Sequence, residues 1–465
     1  MDLTNPLLLI LGLIVVVALY YAFPDQWRRY YLFLISLVFL FLATPQASLL
    51  LVLLSLFNYG MGIFIERASK KRWITTLSIF INCIVFLFPR FFNLSSTAAV
   101  PVPTNYLIPL GIAFITLQNI SYLLNVSRGI LPAERNLLNF LLFIIFFPKI
   151  TAGPIESARH FLPQVHQTHP YKAENIHQGL FLIGSGIFKK IVIADRLALI
   201  TDQVFNNPGQ YYGLTVVTAV FFYSFQIYFD FSGYTDIARG IACLFGYDLS
   251  INFNKPFLAE NINEFWSRWH ITFTTWLREN IFFPIRRFLL RQSNNATAFL
   301  ALLIPPLITM LASGLWHGLK RPFILWGLYH GLLLFFTVLL NKSKKPQNPK
   351  NRWGRRLTTF GLVTFGWFFF RASSIPEIGI FLQSIFVKST TFHDLLLEID
   401  AFDLVIAFVA IPMVMGFEIY LHDSQKAWND LPAVIRWIAC LAILLSISML
   451  GVYQPGNTEF IYAGF

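Results

Sequence analysis

Two histidines stand where this sequence gives an ionisable side chain the fewest polar neighbours. His317 lies in Ser-Gly-Leu-Trp-His-Gly at residues 313–318, between apolar runs on both sides. His270 ends the segment 263–270, which is too aromatic and too charged for an ordinary membrane span. Ionisable groups inside membrane segments are costly, so they usually face a bundle interior or a water-filled cavity and serve a pathway or a reaction. The two histidines therefore predict membrane-embedded chemistry.

An imidazole in such a place can act as a general base, a nucleophile or a member of a proton relay. The glycines at positions 314 and 318 would let the backbone near His317 approach a ligand closely. For His270 a hydrogen-bonded structural role is the alternative. Its segment has Trp266, Trp269, Phe273 and Leu277 at spacings of three and four, which predicts one helix with an aromatic face at the membrane interface.

Two carboxylates follow an aromatic run in the segment 229–240. Asp230 and Asp236 flank Tyr234, and Arg239 comes one helical turn after Asp236. A carboxylate at the middle of a bilayer costs about 3 kcal/mol on insertion scales, so each one needs a partner or a water path. One interpretation is a structural ion pair between Asp236 and Arg239. The other is that these residues line a polar cavity beside the histidines.

The composition sets these residues in lipid. Hydrophobic residues make up 56% of the chain and charged residues only 12%, which is far from the balance of a soluble domain. A span needs about 20 apolar residues, and the apolar runs predict an all-α polytopic bundle of about eleven to thirteen helices with re-entrant or interfacial segments. The predicted spans are 6–23, 30–44, 47–65, 74–89, 106–125, 136–148, 179–200, 212–230, 298–313, 322–340, 357–371, 403–421 and 432–452.

Basic residues predict the orientation of this bundle. The first apolar run has no basic residue before it and no cleavage pattern, so we interpret it as a retained span with the N-terminus outside the cytoplasm. Arg28 and Arg29 follow the first span, four basic residues follow the third, and the loop 341–356 is strongly basic. Such loops are typical of the cytoplasmic side. The net charge of +12 is thereby explained by topology, and we expect no binding of nucleic acid.

We expect one membrane domain over 1–465 and no metal site. No repeat of fixed period or long linker divides the chain. The three cysteines are scattered through apolar runs without metal-type spacing. Four more histidines lie in or beside the polar loop 149–178, again without ligand spacing.

Several segments together resemble the membrane-bound O-acyltransferase family, in its bacterial branch that modifies polysaccharides. Phe-Pro-Lys-Ile-Thr-Ala-Gly-Pro-Ile-Glu begins at Phe147, and Trp-His-Gly stands at residues 316–318. Their order and separation agree with the family over most of the chain. The other matching segments are 111–129, 229–236, 251–257, 264–277 and 370–372.

The resemblance implies a many-helix bundle around a central tunnel, with His317 at the catalytic centre and His270 as the second characteristic histidine. It implies acyl transfer from a thioester to a hydroxyl, with acetyl-CoA as the donor and no bound cofactor. The further residues that the resemblance and the polar segments suggest for the substrate path are Asp230, Tyr234, Asp236, Asn254, Trp266, Arg268 and Trp316.

The resemblance also implies a setting and partners. We expect a bacterial inner-membrane protein in contact with lipid, an extracytoplasmic polysaccharide as the acceptor, and a separate esterase-like acetyltransferase that completes the transfer. Two departures stand out, because Leu319-Lys320-Arg321-Pro322 replaces the usual small residue and tryptophan, and Asn125 replaces a frequent aspartate.

Two other functions compete with acetyl transfer. One is D-alanyl transfer from a carrier protein to teichoic acid, as in another branch of the family. The other is a proton-coupled transporter in which the histidines, Asp230 and Asp236 relay protons. No inverted half-repeat with paired broken segments is visible in the sequence, which argues against the transporter.

Overall fold

A computed structural model describes eight stretches of the chain: residues 6–45, 47–95, 111–151, 153–291, 295–340, 351–387, 391–420 and 431–452. All regular secondary structure within these stretches is helical. The start of the predicted span 106–125 and most of the basic loop 341–356 lie outside the described residues.

The α-helices of the described stretches follow one another with short connections. They are α1 (Pro6–Ala22), α2 (Asp25–Ala43), α3 (Ser48–Arg67), α4 (Lys71–Ser95), α5 (Ile112–Ser127), α6 (Leu137–Ile145), α7 (Ala158–Val165), α8 (Ala173–Ile187), α9 (Asp195–Phe205), α10 (Gly213–Leu244), α11 (Ile262–Arg268), α12 (Ile271–Leu277), α13 (Phe283–Leu290), α14 (Asn295–His317), α15 (Arg321–Leu340), α16 (Arg352–Arg371), α17 (Ile375–Val387), α18 (Phe392–Glu398), α19 (Ala401–Tyr420) and α20 (Ala433–Leu450). Short 3₁₀ turns cover Phe147–Lys149 and Pro256–Leu258, and π-helical turns cover Phe188–Ala194 and Arg278–Phe282.

Apolar helices of membrane length confirm the predicted class. Within the described stretches six helices are long and apolar enough to cross a membrane, and five shorter helices are apolar as well. The six are Ser48–Arg67, Lys71–Phe91, Gly213–Leu244, Thr297–His317, Arg321–Leu340 and Ala401–Ile419. The protein is therefore an all-α, multi-pass membrane protein, and the two groups together reach the lower end of the predicted helix number. The central tunnel stays a prediction.

Two predicted spans differ from the helices found. The run predicted to end at residue 230 continues to Leu244 as α10, so the polar segment 229–240 is helical throughout. The run predicted at 179–200 is divided into α8, a π-helical turn and α9. Hydropathy marks where apolar residues occur, but it does not register a change in the hydrogen-bonding pattern of the backbone.

The described chain forms two compact units, which we treat separately. The first consists of Met1–Ile183 and Thr235–Ser250, and the second begins with Gly184–Tyr234 and continues from Ile251. In the first unit α5 packs against α3 and α4, and α2 packs against α6. In the second unit α14 packs against α13 and α15, and α15 packs against α16. The single domain predicted for 1–465 stays a prediction.

A buried carboxylate holds together the polar part of the first unit. Glu156 is fully buried and accepts hydrogen bonds from the Ser250 backbone N–H at 2.6 Å and the Ser250 hydroxyl at 3.1 Å. The Nδ1 atom of His160 lies 2.9 Å from the same carboxylate, and Asp248 lies on the other side of the ring at 3.6 Å. The last residue of the Phe147–Glu156 motif therefore has a structural role.

The His160 bonds predict a pH-dependent part of the stability. Hydrogen bonds to Asp248 and then Glu156 raise the pKa of His160 from 6.5 to about 10. A raised pKa stabilises the fold fully below the unfolded value and loses this effect as the pH rises through the folded value. We therefore expect a His160→Gln variant to melt below the wild type at pH 6, with the gap closing above pH 10. Melting curves in one detergent at several pH values measure this.

The control for this prediction is His177→Gln, which changes an exposed histidine on α8. It should leave the melting temperature close to that of the wild type across the same range. A His160→Gln gap that stays constant or widens with pH would contradict the role assigned to His160.

Candidate active site

The structure brings His317 and His270 into one aromatic layer of the second unit. His317 is the last residue of α14 and is 4% exposed, and His270 is 1% exposed. The Phe273 ring centroid lies 5.0 Å from that of His270 and 6.1 Å from that of His317. Trp316 likewise contacts both, at 6.1 Å and 4.8 Å. The two imidazoles therefore share two aromatic neighbours, as their predicted joint role requires.

A break in the helix sets the position of His270. The spacing predicts one continuous helix through this segment, but α11 ends at Arg268 and α12 begins at Ile271. Between them Trp269 is extended and His270 has a φ of 43° in the left-handed region. For a residue with a Cβ this conformation costs about 1–2 kcal/mol. The prediction of an unbroken aromatic face is wrong because other groups compensate for that cost.

The compensating groups come from the segment just after residue 250. The Asn252 carbonyl accepts the Ile271 N–H at 2.9 Å, and its side-chain Oδ1 accepts the backbone N–H and hydroxyl of Thr272 at 3.2 Å and 2.7 Å. On the other side of the break the Asn254 N–H donates to the Arg268 carbonyl at 3.0 Å. Residues 252–254 thus clamp both ends of the break.

The same clamp favours one tautomer of His270. Because the Thr272 N–H can only donate, the Asn252 amide must present its oxygen there, 3.4 Å from the Nδ1 atom of His270. This arrangement favours the proton on Nδ1 and leaves Nε2 as the basic nitrogen. His270 lies outside the candidate spans, and burial, followed by the nearby His317, lowers its pKa well below 6.5. His270 is therefore neutral at physiological pH.

His317 is enclosed by aromatic rings from three helices. Besides Trp316, its ring centroid lies 5.3 Å from that of Trp326 on α15 and 5.0 Å from that of Phe370 on α16. The glycines beside it serve helix packing and leave no open approach for a ligand. A Cβ on Gly314 would come 2.3 Å from the Phe323 carbonyl oxygen, and one on Gly318 would meet the Phe323 ring at 2.7 Å. Small residues let α14 and α15 approach closely.

The other residues predicted from the His270 segment are less directly placed. Trp266 is buried against the rings of Trp326 and His330, at 5.7 Å and 5.1 Å. Arg268 pairs with Glu264 at 2.6 Å along α11. Asn254 has an exposed side chain, and its contribution to the site is the backbone bond to Arg268. The structure therefore makes Asn252 the polar residue nearest the histidine pair.

The residues predicted on α10 divide between ion pairing and the site. Lys190 bridges Asp230 and Asp195, with its Nζ atom 2.7 Å from a carboxylate oxygen of each. Asp236 lies 3.9 Å from Arg239, which supports the structural ion pair. The link from α10 to the site is the next residue after Asp230, because the Phe231 ring packs 4.7 Å from the His270 ring. A substrate-lining role for Asp230, Tyr234 and Asp236 stays a prediction.

Sequence reasoning missed three residues of this layer. Asn252 was passed over for Asn254, although both belong to the same polar run, because spacing does not tell which amide points inward. Trp326 and His330 are one helical turn apart, and that spacing could have drawn attention to them. His330 lies inside α15 rather than at a helix end. In the described stretches no three His, Cys, Asp or Glu side chains group as metal ligands.

Comparison with known proteins agrees with this geometry. The model of the membrane-bound O-acyltransferase family matches residues 126–375, which include both histidines and the clamp. The chain belongs to the membrane-bound O-acyltransferase family. It is therefore an acyltransferase, as predicted, and the family resemblance drawn from the motifs is confirmed.

Three relatives show the range of this family. The chain is 34% identical to the probable alginate O-acetylase AlgI of Azotobacter vinelandii, over 77% of this chain and 72% of that protein. It is 29% identical to the peptidoglycan O-acetyltransferase of Helicobacter pylori, over 95% and 92% of the two chains. It is 30% identical to the teichoic acid D-alanyltransferase of Bacillus subtilis, over 58% and 70%.

The clamp predicts a positioning role for Asn252. We expect Asn252→Ala to lower the turnover of acyl transfer about 10-fold to 100-fold, as loss of an orienting neighbour commonly does, with a smaller change in KM. Without the Asn252 oxygen both the tautomer and the backbone turn of His270 lose their support. Steady-state kinetics of purified protein in lipid, with assembly checked by gel filtration, measures the effect.

Asn254→Ala is the matched control, because it changes an exposed amide on the same segment and keeps the backbone bond. Equal losses in the two variants would contradict a specific role for the Asn252 side chain.

Proposed function

We propose that this acyltransferase transfers acetyl groups from acetyl-CoA to hydroxyl groups of a polysaccharide outside the bacterial inner membrane. The observation that carries the proposal is the pair of buried imidazoles, His317 and His270, held in one aromatic layer by a left-handed turn. Such a pair serves proton and acyl transfer in a site from which water is excluded.

The chemistry assigned to His317 is activation of the acyl acceptor. As a general base it takes the proton of the hydroxyl while the hydroxyl oxygen bonds to the thioester carbon. The carbon–sulfur bond then breaks, and the thiolate of CoA leaves and receives the proton. In the alternative course His317 first takes the acetyl group on its ring and passes it to the hydroxyl. Both courses need a neutral imidazole and conserve the proton.

His270 supports this chemistry from the other side of the shared aromatic layer. With its proton held toward Asn252, its Nε2 atom is the nitrogen that can accept a hydrogen bond or a proton. The surrounding rings of Phe231, Phe273 and Trp316 keep the ring in place and exclude water. His270 thus orients the acceptor or receives its proton together with His317.

The extent of similarity favours acetyl transfer over D-alanyl transfer. The peptidoglycan O-acetyltransferase matches 95% of this chain, whereas the teichoic acid D-alanyltransferase matches 58%. The acetyl-type proteins therefore also share the segments outside the common core. D-alanyl transfer from a carrier protein is the second candidate. A transporter loses its support, because the chain belongs to a family of acyltransferases.

The location and partners belong to the same proposal. The basic residues after α1 and α3, including Arg28 and Arg67, place those loops in the cytoplasm and the N-terminus outside. A polysaccharide acceptor then lies on the opposite side from acetyl-CoA. A separate extracytoplasmic esterase-like acetyltransferase would carry the acetyl group onward to the polysaccharide.

The first test uses labelled acetyl-CoA and protein in lipid nanodiscs. We expect His317→Ala to abolish acetyl release and transfer, a loss of about 1,000-fold or more, since one residue supplies the base or the acyl carrier. His393→Ala changes an exposed histidine on α18 and should keep wild-type turnover. A folded His317→Ala protein with wild-type turnover would remove the residue from the reaction.

The second test separates the two acyl donors. We expect the purified protein to use acetyl-CoA and to leave a D-alanyl carrier protein unchanged, as followed by mass spectrometry of both donors. Consumption of the D-alanyl donor in a His317-dependent manner would replace the acetyl proposal with the second candidate.

A further inference from the structure

A third buried histidine lies beyond the pair. His330 is in the middle of α15 and is 0% exposed. Among the described residues, neither of its ring nitrogens has a hydrogen-bond partner. Buried polar groups in native proteins are nearly always hydrogen-bonded, so each exception points to a bound water, an ion or a ligand. The chemistry assigned to His317 and His270 does not use this residue.

Three tryptophans around His330 share its condition. Trp266, Trp326 and Trp367 are buried, and within the described stretches none of their indole N–H groups has a partner. The ring centroids of Trp266 and Trp326 lie 5.1 Å and 5.0 Å from that of His330, and Trp367 stacks on Trp326 at 6.5 Å. We call these four residues the indole cluster. They bring three unused donors and an unused imidazole together.

The indole cluster is continuous with the catalytic layer. The Trp326 ring meets the His317 ring edge-on, with centroids 5.3 Å apart, and it also contacts His330. Glycines fix this arrangement. A Cβ on Gly366 would lie 2.7 Å from the Nε2 atom of His330, and one on Gly327 would lie 2.4 Å from the Met310 carbonyl oxygen. The helices can therefore hold His330 in place only with glycine at these positions.

We propose that the indole cluster binds the carbonyl group of the short acyl chain on the donor thioester. The inference rests on the proposed function and assigns this part of the site its ligand chemistry. Indole N–H groups donate hydrogen bonds and do not accept them, so the group that they bind must offer an acceptor such as a carbonyl oxygen. The aromatic rings suit the methyl end of an acetyl group.

The same composition sets a preference among acyl groups. None of the four residues carries a carboxylate, so the cluster offers an aminoacyl ammonium no opposite charge. A neutral acetyl group needs none. The cluster therefore selects acetyl over D-alanyl donors, independently of the catalytic role of His317.

The test uses two unreactive analogues of acetyl-CoA. In acetonyl-CoA a methylene separates sulfur and carbonyl, and in S-propyl-CoA the carbonyl is replaced by a methylene. We expect full-length wild-type protein in nanodiscs to bind the ketone about 10-fold or more tightly than the propyl compound, by calorimetry, because only the ketone accepts hydrogen bonds from the cluster. His330→Phe and Trp367→Phe, which keep an aromatic ring, should reduce that preference. Leu328→Ala, on the exposed side of α15, should keep it.

Equal binding of the two analogues by the wild type would overturn the proposal, and so would an undiminished preference in both aromatic variants. The wild-type comparison needs no mutation, so a variant that fails to fold does not decide the outcome. Failure of the proposed function has a different signature, namely the absence of His317-dependent acetyl transfer. A ketone preference that vanishes in His330→Phe would still establish the subsite in that case.

Discussion

A left-handed backbone at His270 is the constraint on which the site depends. This conformation is unfavourable for any residue with a Cβ, and it persists because Asn252 and Asn254 bond to both sides of the break between α11 and α12. The break turns the His270 ring toward Phe273 and Trp316, and hence toward His317. In a continuous helix, spacing alone would place these groups along one interfacial face. Strain at one residue thus converts an aromatic surface pattern into an enclosed site.

Close helix packing provides the second half of the site. Gly314 on α14 and Gly327 on α15 allow these helices to approach until a Cβ would clash with the opposite backbone. This contact sets His317 against Trp326, and Trp326 in turn against His330. A hydrophobic force between helices is weak in lipid, so such packing, with buried polar contacts, maintains the geometry. The catalytic layer and the indole cluster consequently share one rigid support.

Much of this could be predicted from the sequence, and the limits have physical causes. Apolar runs gave the all-α membrane class because a bilayer requires long apolar helices. The order of motifs gave the family and pointed to His317. The break at His270 could not be predicted, because the hydrogen bonds that offset it come from Asn252, far from it in sequence. The unpartnered state of His330 depends on three helices meeting, which no local pattern records.

The central claim is that His317 and His270 act as one catalytic unit. The most direct measurement is a double-mutant comparison of acetyl transfer in nanodiscs, using His317→Ala, His270→Ala and the two changes together. If the histidines act as a unit, the double variant loses no more activity than the more damaging single variant, because the second change removes nothing that still functions. Losses that multiply would show that the two residues contribute independently and would contradict the account.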